Sequence, residues 1–350
     1  MYFRTTLWCT SVATRVTMHV TMSDIVFLQV DQEDISSVVS RFPDASIVSG
    51  VPDDIAEVCQ NATVISSFIG IDWSAELLST IPSLRLLCTR SVGCNHIDLE
   101  YCNKKGITVC HVPDYGSHVI AEHVFALLLS TLRHIPEADR KVERGEFDYH
   151  GLRGVSLRGK TIGIVGTGKI GRKTAQIAAG FGMNIVAVDK CRTVELEDLL
   201  HVRYMELDQL LTESDIITLH LPALEDTHHM INAHAFSLMK DGVVLVNTAR
   251  GELIDSGALL DVLNMGKVKY ALLDVLEHEH NFEENKELIF HKNVVTTPHI
   301  AFYAEESMRN MYDDCFDSID EYQSGKEPAH TVHPPTVICD LPGVQKVQKR

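Results

Sequence analysis

The segment 160–189 constrains the fold of this chain more than any other part of it. The segment opens with an apolar stretch that predicts a buried strand, and a glycine-rich turn then leads into a helical run. A second apolar stretch follows and ends at Asp189. Strand, glycine turn, helix and strand in this order are typical of the unit that binds a dinucleotide in parallel α/β sheets.

The glycine-rich turn reads Gly166-Thr167-Gly168-Lys169-Ile170-Gly171. Gly166 permits the tight turn, Gly168 lets the backbone approach a pyrophosphate, and Gly171 lets the helix pack closely on its strand. The start of the helix offers unpaired N–H groups and the positive end of its dipole to the phosphates. The turn therefore predicts a dinucleotide site.

Asp189 narrows the choice of cofactor. A carboxylate at the end of the second strand can accept hydrogen bonds from the ribose hydroxyls of NAD, and it would repel the 2′-phosphate of NADP. Lys190 and Arg192 follow it closely, and a cation there could still hold a phosphate. NAD is the predicted cofactor, with NADP as the less favoured alternative.

Composition excludes several classes of partner. The chain has 350 residues, 45% of them hydrophobic and 23% charged, with a net charge of −17. This charge argues against nucleic acid or an anionic membrane as a partner, and the chain contains no apolar run long enough to span a membrane. Its nine cysteines are scattered without a Cys-x-x-Cys pair, which predicts reduced thiols, no metal site and a cytoplasmic location.

Apolar strands alternate with helices along the chain, which predicts an α/β protein. We expect two Rossmann-like or flavodoxin-like domains, each a doubly wound parallel sheet, separated by a cleft. The predicted boundaries are 1–23 for a disordered extension, 24–122 with 302–335 for a substrate domain, 123–301 for an inserted NAD domain, and 336–350 for a tail. The extension contains basic and hydroxylated residues without an acid, so an organelle signal is the alternative reading.

Three later apolar stretches lead into residues that could perform chemistry. They predict parallel strands at Val243–Thr248, Ala271–Val275 and Val294–Thr297. Arg250 follows the first, Glu277 and Glu279 follow the second, and His299 follows the third. Ligands bind beyond the carboxyl ends of parallel strands, so these side chains should converge. An arginine can pair with a substrate carboxylate, and a histidine that is stabilised by an acid can exchange a proton with a carbonyl oxygen. Spacing alone does not decide between the two glutamates.

The residues 24–332 resemble the D-isomer-specific 2-hydroxyacid dehydrogenases. Four ordered motifs carry the resemblance: Gly166-Thr167-Gly168-Lys169-Ile170-Gly171, Val246-Asn247-Thr248-Ala249-Arg250-Gly251, Asp274-Val275-Leu276-Glu277-His278-Glu279 and Thr297-Pro298-His299-Ile300-Ala301. The resemblance implies that Arg250, Glu279 and His299 are the catalytic residues. It also implies a homodimer that is built through the NAD domain.

The same resemblance implies two sets of binding residues. The substrate contacts would be Val92, Gly93, Tyr115 and Arg250. The cofactor contacts would be Gly166, Gly168, Lys169, Ile170, Gly171, Asp189, Leu221, Pro222, Thr227, Thr248, Ala249 and Asp274. Asp274 could equally orient the backbone at the end of its strand. We expect four other histidines to have structural or supporting roles, namely His96, His118, His123 and His220.

Within the family, His299-Ile300-Ala301-Phe302-Tyr303 resembles the D-lactate dehydrogenase branch, whereas most other branches carry glycine soon after the histidine. The polar stretch that opens at His280 departs from the usual Glu-Pro ending and leaves the shape of the pocket open. The favoured function is NAD-dependent interconversion of a small 2-keto acid and the D-2-hydroxy acid. The alternative is an NAD(H)-sensing interaction protein that resembles the corepressors of this fold.

Overall fold

The computed structural model describes residues 23–332 together with the short strands Met18–His19 and Val344–Lys346. The chain forms two compact units, one from 1–115 with 305–334 and the other from 116–304 with 335–350. The helix Ser117–Leu132 lies in the second unit, so the first crossing between units falls at 115/116 and not at 122/123. The N-terminal extension and the C-terminal tail lie almost entirely outside the described residues.

The first unit is built on a six-stranded sheet with the order β1-β3-β2-β4-β5-β6. Its strands are β1 (Met18–His19), β2 (Ile25–Phe27), β3 (Ser46–Val48), β4 (Val64–Ser67), β5 (Leu86–Thr89) and β6 (Thr108–Cys110). Only β1 runs antiparallel to its neighbour in this sheet. The helices are α1 (Ile35–Arg41), α2 (Ile55–Cys59), α3 (Ala75–Ser79) and α4 (Leu99–Lys105), and the helix Glu305–Gln323 returns to this unit from the far end of the chain.

The second unit is built on a seven-stranded parallel sheet with the order β10-β8-β7-β11-β12-β13-β14. Its strands are β7 (Thr161–Val165), β8 (Asn184–Val188), β10 (Arg203–Tyr204), β11 (Ile216–Leu219), β12 (Val243–Asn247), β13 (Val268–Leu273) and β14 (Val294–Thr296), with β9 (Cys191–Thr193) outside the sheet. Strand order reverses between β7 and β11. This reversal is the point at which open α/β sheets bind ligands.

Helices of the second unit cover both faces of its sheet. They are α5 (Ser117–Leu132), α6 (Ile135–Glu143), α7 (Lys169–Gly180), α8 (Val194–Leu200), α9 (Leu207–Glu213), α10 (Ala233–Leu238), α11 (Ser256–Asn264) and α12 (Phe282–Ile289). Alternate strand residues enter two separate cores, because side chains alternate across a strand. Leu245 and Leu273 lie in one core, while Val244, Val246 and Leu272 lie in the other. The predicted α/β class with parallel sheets is confirmed.

The predicted strand Ala271–Val275 was wrong at both ends, since β13 runs from Val268 to Leu273. The strand starts earlier because Val268 is fully buried and belongs to it. The exposed Lys269 interrupts the apolar run and hides this start in the sequence. The strand stops earlier because the backbone carbonyl of Asp274 accepts a hydrogen bond from the His299 loop and not from a neighbouring strand.

The cysteines differ from expectation at one position. Cys59, Cys88, Cys94, Cys102, Cys110 and Cys315 are free thiols, as predicted. Cys191, however, is disulfide-bonded, so the prediction of reduced thiols was wrong there. The strand β15 (Val344–Lys346) pairs antiparallel with β9 and brings a distant part of the chain beside Cys191. Among the described residues, no helix is both long and apolar enough to cross a membrane.

Candidate active site

The glycine-rich turn between β7 and α7 has no room for side chains at two of its glycines. Gly166 has φ +97°, and a Cβ there would lie 2.7 Å from the carbonyl oxygen of His220. A Cβ on Gly171 would lie 2.0 Å from the carbonyl oxygen of Gly166. A Cβ on Gly168 would meet no atom within 4 Å, so this side of the turn is open. The open turn leads directly into α7, which begins at Lys169.

Asp189 ties the glycine turn to the end of β8. Its Oδ2 accepts hydrogen bonds from the backbone N–H and the hydroxyl of Thr167, and its Oδ1 accepts one from the backbone N–H of Cys191 at 2.9 Å. Two carboxylate oxygens offer about four acceptor sites, so the half-buried carboxylate can accept a further hydrogen bond.

The two cations after Asp189 already have partners. Lys190 forms an ion pair with Asp226. The Arg192 guanidinium lies 5.8 Å from the centre of the Tyr204 ring, and its Nη1 lies 3.9 Å from a Glu197 carboxylate oxygen. Each of the two cations therefore has a carboxylate oxygen within 4 Å.

Two polar atoms at the same edge of the sheet are buried without a hydrogen-bond partner among the described residues. They are the Oγ1 of Thr248, just after β12, and the Nδ1 of His220, just after β11. Burial lowers the pKa of His220 to about 3, so this ring is neutral at pH 7. Buried polar atoms normally have hydrogen-bond partners. Two buried atoms that lack one at the sheet edge with the open glycine turn therefore fit a site for a polar ligand. These residues therefore suit a dinucleotide.

The loop after β11 carries three further predicted cofactor contacts. The Leu221 side chain borders the glycine turn, 2.8 Å from a Cβ built on Gly166. Pro222 is exposed, and its carbonyl oxygen accepts a hydrogen bond from the Thr227 hydroxyl at 2.7 Å. The same hydroxyl accepts a bond from the Leu224 N–H at 2.8 Å. In this structure the hydroxyl of Thr227 therefore closes the loop.

His299 and Glu279 form a hydrogen-bonded pair. The Nδ1 of His299 lies 3.0 Å from the Oε2 of Glu279, and the two side chains are 28% and 32% exposed. This contact leaves Nε2 of the ring as the nitrogen that can face a substrate. Glu277, the competing glutamate, instead lies 2.7 Å from Nε2 of His229. The geometry therefore pairs His299 with Glu279, as the family resemblance implies.

Asp274 holds the loop that carries His299. Its carboxylate is fully buried and accepts hydrogen bonds from the N–H groups of Ile300 and Ala301, each at 2.9 Å, and from the Thr297 hydroxyl. Its carbonyl oxygen accepts the N–H of His299 at 2.9 Å. His299 itself has φ +54°, a conformation that non-glycine residues rarely adopt. In this structure Asp274 orients the backbone, which is the second of the two roles considered for it.

His123 supports the same loop from α5. Its Nε2 lies 3.2 Å from the Thr297 hydroxyl and 3.6 Å from the Asp274 carboxylate. This agrees with the supporting role expected for His123.

Arg250 lies beyond the end of β12. The side chain of Asn247 stabilises the loop that carries Arg250. Its Oδ1 accepts a hydrogen bond from the N–H of Ala249 at 3.0 Å, and its Nδ2 donates one to the carbonyl oxygen of Arg250 at 2.8 Å. A Cβ on Gly251 would lie 2.0 Å from the carbonyl carbon of Leu276, so this loop packs directly on the loop that carries Glu279. Sequence reasoning missed both supports, although Gly251 stood in a quoted motif.

The ends of three adjacent parallel strands bring the predicted catalytic residues to one edge. Asn247, Leu273 and Thr296 are register partners on β12, β13 and β14. Arg250 lies three residues after the end of β12, and His299 lies three residues after the end of β14. Since parallel strands end at the same edge, the arginine and the histidine lie beyond one edge of the sheet, as predicted.

The predicted substrate contacts Val92, Gly93 and Tyr115 belong to the first unit. Val92 and Gly93 follow β5, and their N–H groups have no acceptor among the described residues. Buried Arg90 anchors this segment through hydrogen bonds from its guanidinium to Ser66 and to two backbone carbonyls. Tyr115 follows β6 and is buried.

Comparison with known proteins agrees with this geometry. The model of the D-isomer specific 2-hydroxyacid dehydrogenase NAD-binding domain matches residues 125–301. A 2-hydroxyacid dehydrogenase homolog of Haemophilus influenzae is 37% identical over 294 residues, which cover 80% of this chain and 88% of that protein. A glyoxylate reductase of Aeropyrum pernix is 38% identical over 77% of this chain and 82% of its own.

The solved structures agree as well. The crystal structure of D-lactate dehydrogenase from Aquifex aeolicus with NAD and lactic acid superposes with a TM-score of 0.82 at 34% identity, covering 89% of this chain and 100% of that one. The resemblance seen in four motifs is thus confirmed. The chain belongs to the D-isomer-specific 2-hydroxyacid dehydrogenases, NAD-dependent enzymes that act on small 2-hydroxy and 2-keto acids.

Proposed function

We propose that this enzyme reduces a small 2-keto acid, pyruvate or a somewhat larger homologue, to the D-2-hydroxy acid with NADH. The observation that carries this proposal is the His299–Glu279 pair beyond the same sheet edge as Arg250. An acid–base pair beside a cation suits a substrate that presents a carbonyl next to a carboxylate.

Each of the three side chains has a distinct role in the proposed reaction. The nicotinamide supplies the hydride when the cofactor is bound. His299 donates a proton from Nε2 to the carbonyl oxygen, and it removes that proton in the reverse direction. Glu279 holds Nδ1 and stabilises the charged imidazolium ring. Arg250 pairs with the substrate carboxylate.

We further propose that the second unit binds NAD and that the first unit contributes to substrate binding. The N–H groups of Val92 and Gly93, which have no acceptor within the described part of the chain, suit a carboxylate, and Tyr115 would lie near the substrate. The proposed cofactor contacts are Gly166, Gly168, Lys169, Ile170, Gly171, Asp189, Leu221, Pro222, Thr227, Thr248, Ala249 and, in addition to its hydrogen bonds to the His299 loop, Asp274. The ion pair of Lys190 with Asp226 supports NAD over NADP.

Phe302 supports a small substrate. Its ring centre lies 6.3 Å from that of His299 at an angle of 80°, and it lies 5.9 Å from the centre of the Tyr303 ring. An aromatic ring this close to the proposed proton donor is our reason for placing small 2-keto acids first. Among the relatives named above, one is a glyoxylate reductase, and a solved neighbour is a D-lactate dehydrogenase.

The test is oxidation of NADH by the purified chain with glyoxylate, pyruvate, 2-ketobutyrate, 2-ketoisocaproate and phenylpyruvate, repeated with NADPH. We expect kcat/KM to be highest for the two- to four-carbon acids and at least about tenfold lower with NADPH, which corresponds to about 1.4 kcal/mol. A preference for phenylpyruvate would contradict the substrate class. Tight NADH binding without turnover on any acid would instead support the NAD(H)-sensing alternative.

We also propose a homodimer formed through the second unit. Helix α6 contains no buried residue. The arm, residues 135–149, begins with this helix and exposes four large apolar side chains, namely Ile135, Val142, Phe147 and Tyr149. Phe147 is 95% exposed and Tyr149 is 80% exposed. Apolar residues clustered on one arm mark a surface that another protein chain covers.

Sedimentation equilibrium should therefore give twice the chain mass of 39.0 kDa. Phe147→Asp should shift the species toward the single-chain mass, because an ionised carboxylate is costly to bury. Phe282→Asp, at an apolar residue of α12 that is 39% exposed, is the matched control and should leave the mass unchanged. A single-chain mass for the parent protein would refute the dimer.

A further inference from the structure

Three side chains of the second unit form a group that the proposed reaction does not use. His228, His229 and Glu277 each offer one ligand atom, and these atoms all lie within 4.8 Å of one another. The two histidines lie in the segment between β11 and α10, and the glutamate follows β13. Among the described residues, this is the only such group of three or more histidine, cysteine or acidic side chains.

The group is compact and accessible. The Nε2 of His229 lies 2.7 Å from the Oε1 of Glu277, and the His228 ring stacks on the His229 ring with centres 3.9 Å apart. His228 is exposed, while the His229 and Glu277 side chains are 34% and 16% exposed. Solvent, and with it a hydrated ion, can therefore reach ligand atoms that are already gathered.

The backbone on both sides of the group is fixed by hydrogen bonds. His229 has φ +48°, its N–H donates to the Glu252 carbonyl at 2.8 Å, and its own carbonyl accepts from Asn232 at 3.0 Å. The carbonyl of Glu277 accepts from the Asn285 side chain at 2.7 Å. A strained, non-glycine conformation that is held on both sides is a common feature of functional sites.

We propose that His228, His229 and Glu277 bind one divalent transition-metal ion, with Zn²⁺ as the best match. Two imidazoles and one carboxylate, with a fourth position open to water, suit this ion, whereas Mg²⁺ and Ca²⁺ prefer oxygen ligands alone. Ligand atoms about 2.0–2.1 Å from Zn²⁺ lie about 3.3 Å apart in a tetrahedron, so His229 and Glu277 separate by about 0.6 Å when the ion enters.

The bound ion would join two loops that flank the proposed active site. One loop carries Pro222 and Thr227, and the other carries Glu279. The ion does not compete for the His299–Glu279 contact, because Glu277 alone supplies the carboxylate. This inference concerns ion binding and does not depend on the proposed reaction.

The experiment is calorimetric titration of the full chain, without an affinity tag and after chelator treatment, with Zn²⁺. Visible absorption of bound Co²⁺ provides a second readout, because its intensity reports the coordination geometry of the ion. We expect one ion per chain, with affinity reduced at least about tenfold in each of His228→Asn, His229→Asn and Glu277→Gln. His201→Asn is the matched control, because His201 is exposed and shares the positive φ of His229.

Several outcomes would overturn the proposal. The titration could show no saturable site with one ion per chain. The three variants could bind Zn²⁺ with the same affinity as the parent. His201→Asn could lose as much affinity for Zn²⁺ as the three variants do. Thermal unfolding of each variant in chelator checks that it is folded. If His229→Asn unfolds, Glu277→Gln decides the test, because it keeps the size of the side chain and removes the charged ligand.

Discussion

Replacing His299 with asparagine is expected to lower kcat by about 10²- to 10⁴-fold, the usual contribution of a positioned acid–base group. Asparagine tolerates the positive φ of this position and can still contact Glu279, but it cannot donate a proton as imidazolium does. The affinity for NADH should stay within about twofold, because the proposed cofactor contacts are other residues. Steady-state kinetics and fluorescence titration with NADH measure the two effects separately.

His201→Asn is the matched control for this prediction. His201 also has φ +54°, and it ends α8 as an exposed residue. The control should keep the parent kcat, so a loss in both variants would point to backbone strain and not to lost proton transfer. If His299→Asn retained kcat within threefold of the parent, the assignment of His299 as the proton donor would be wrong.

Gly171→Ala should nearly abolish cofactor binding. The added Cβ would lie 2.0 Å from the carbonyl oxygen of Gly166, and neither backbone segment can yield without opening the turn. Overpacking of this kind costs about 1–3 kcal/mol of stability. We expect NADH affinity to fall by about 100-fold, equivalent to about 2.7 kcal/mol, because the turn is the proposed pyrophosphate cradle.

The same helix supplies the control. Gly180 ends α7, and a Cβ there would meet no atom within 4 Å. Gly180→Ala should therefore bind NADH like the parent and should unfold at the same or a slightly higher temperature, because alanine favours helix over glycine by up to about 1 kcal/mol. If Gly171→Ala also bound NADH normally, the glycine turn would not be the pyrophosphate site.

The sequence predicted the second unit well because its signals are local. A buried parallel strand needs an apolar run, and the turn after β7 needs glycine where a Cβ would strike backbone at Gly166 and Gly171. The positions of Arg250 and His299 then followed from the rule that parallel strands end at one edge.

Other features depend on contacts between distant residues, which local patterns do not contain. Glu277 and Glu279 are two positions apart, and only the fold of the β13 loop gives one to His229 and the other to His299. The buried carboxylate of Asp274 is stabilised by the N–H groups of Ile300 and Ala301, which lie in the loop of His299 further along the chain. The pairing of β9 with β15 joins residues about 150 positions apart.

The close packing of Gly251 on Leu276 restricts how this enzyme can change through evolution. Any side chain at 251 would push the loop of Glu279 away from the loop of Arg250, so a single substitution there would disturb the proposed proton-transfer pair and the proposed carboxylate-binding cation together. Exposed neighbours such as His278 carry no such restriction. In a saturation library selected for turnover, position 251 should therefore accept glycine alone, while position 278 should drift freely among residues that tolerate a positive φ.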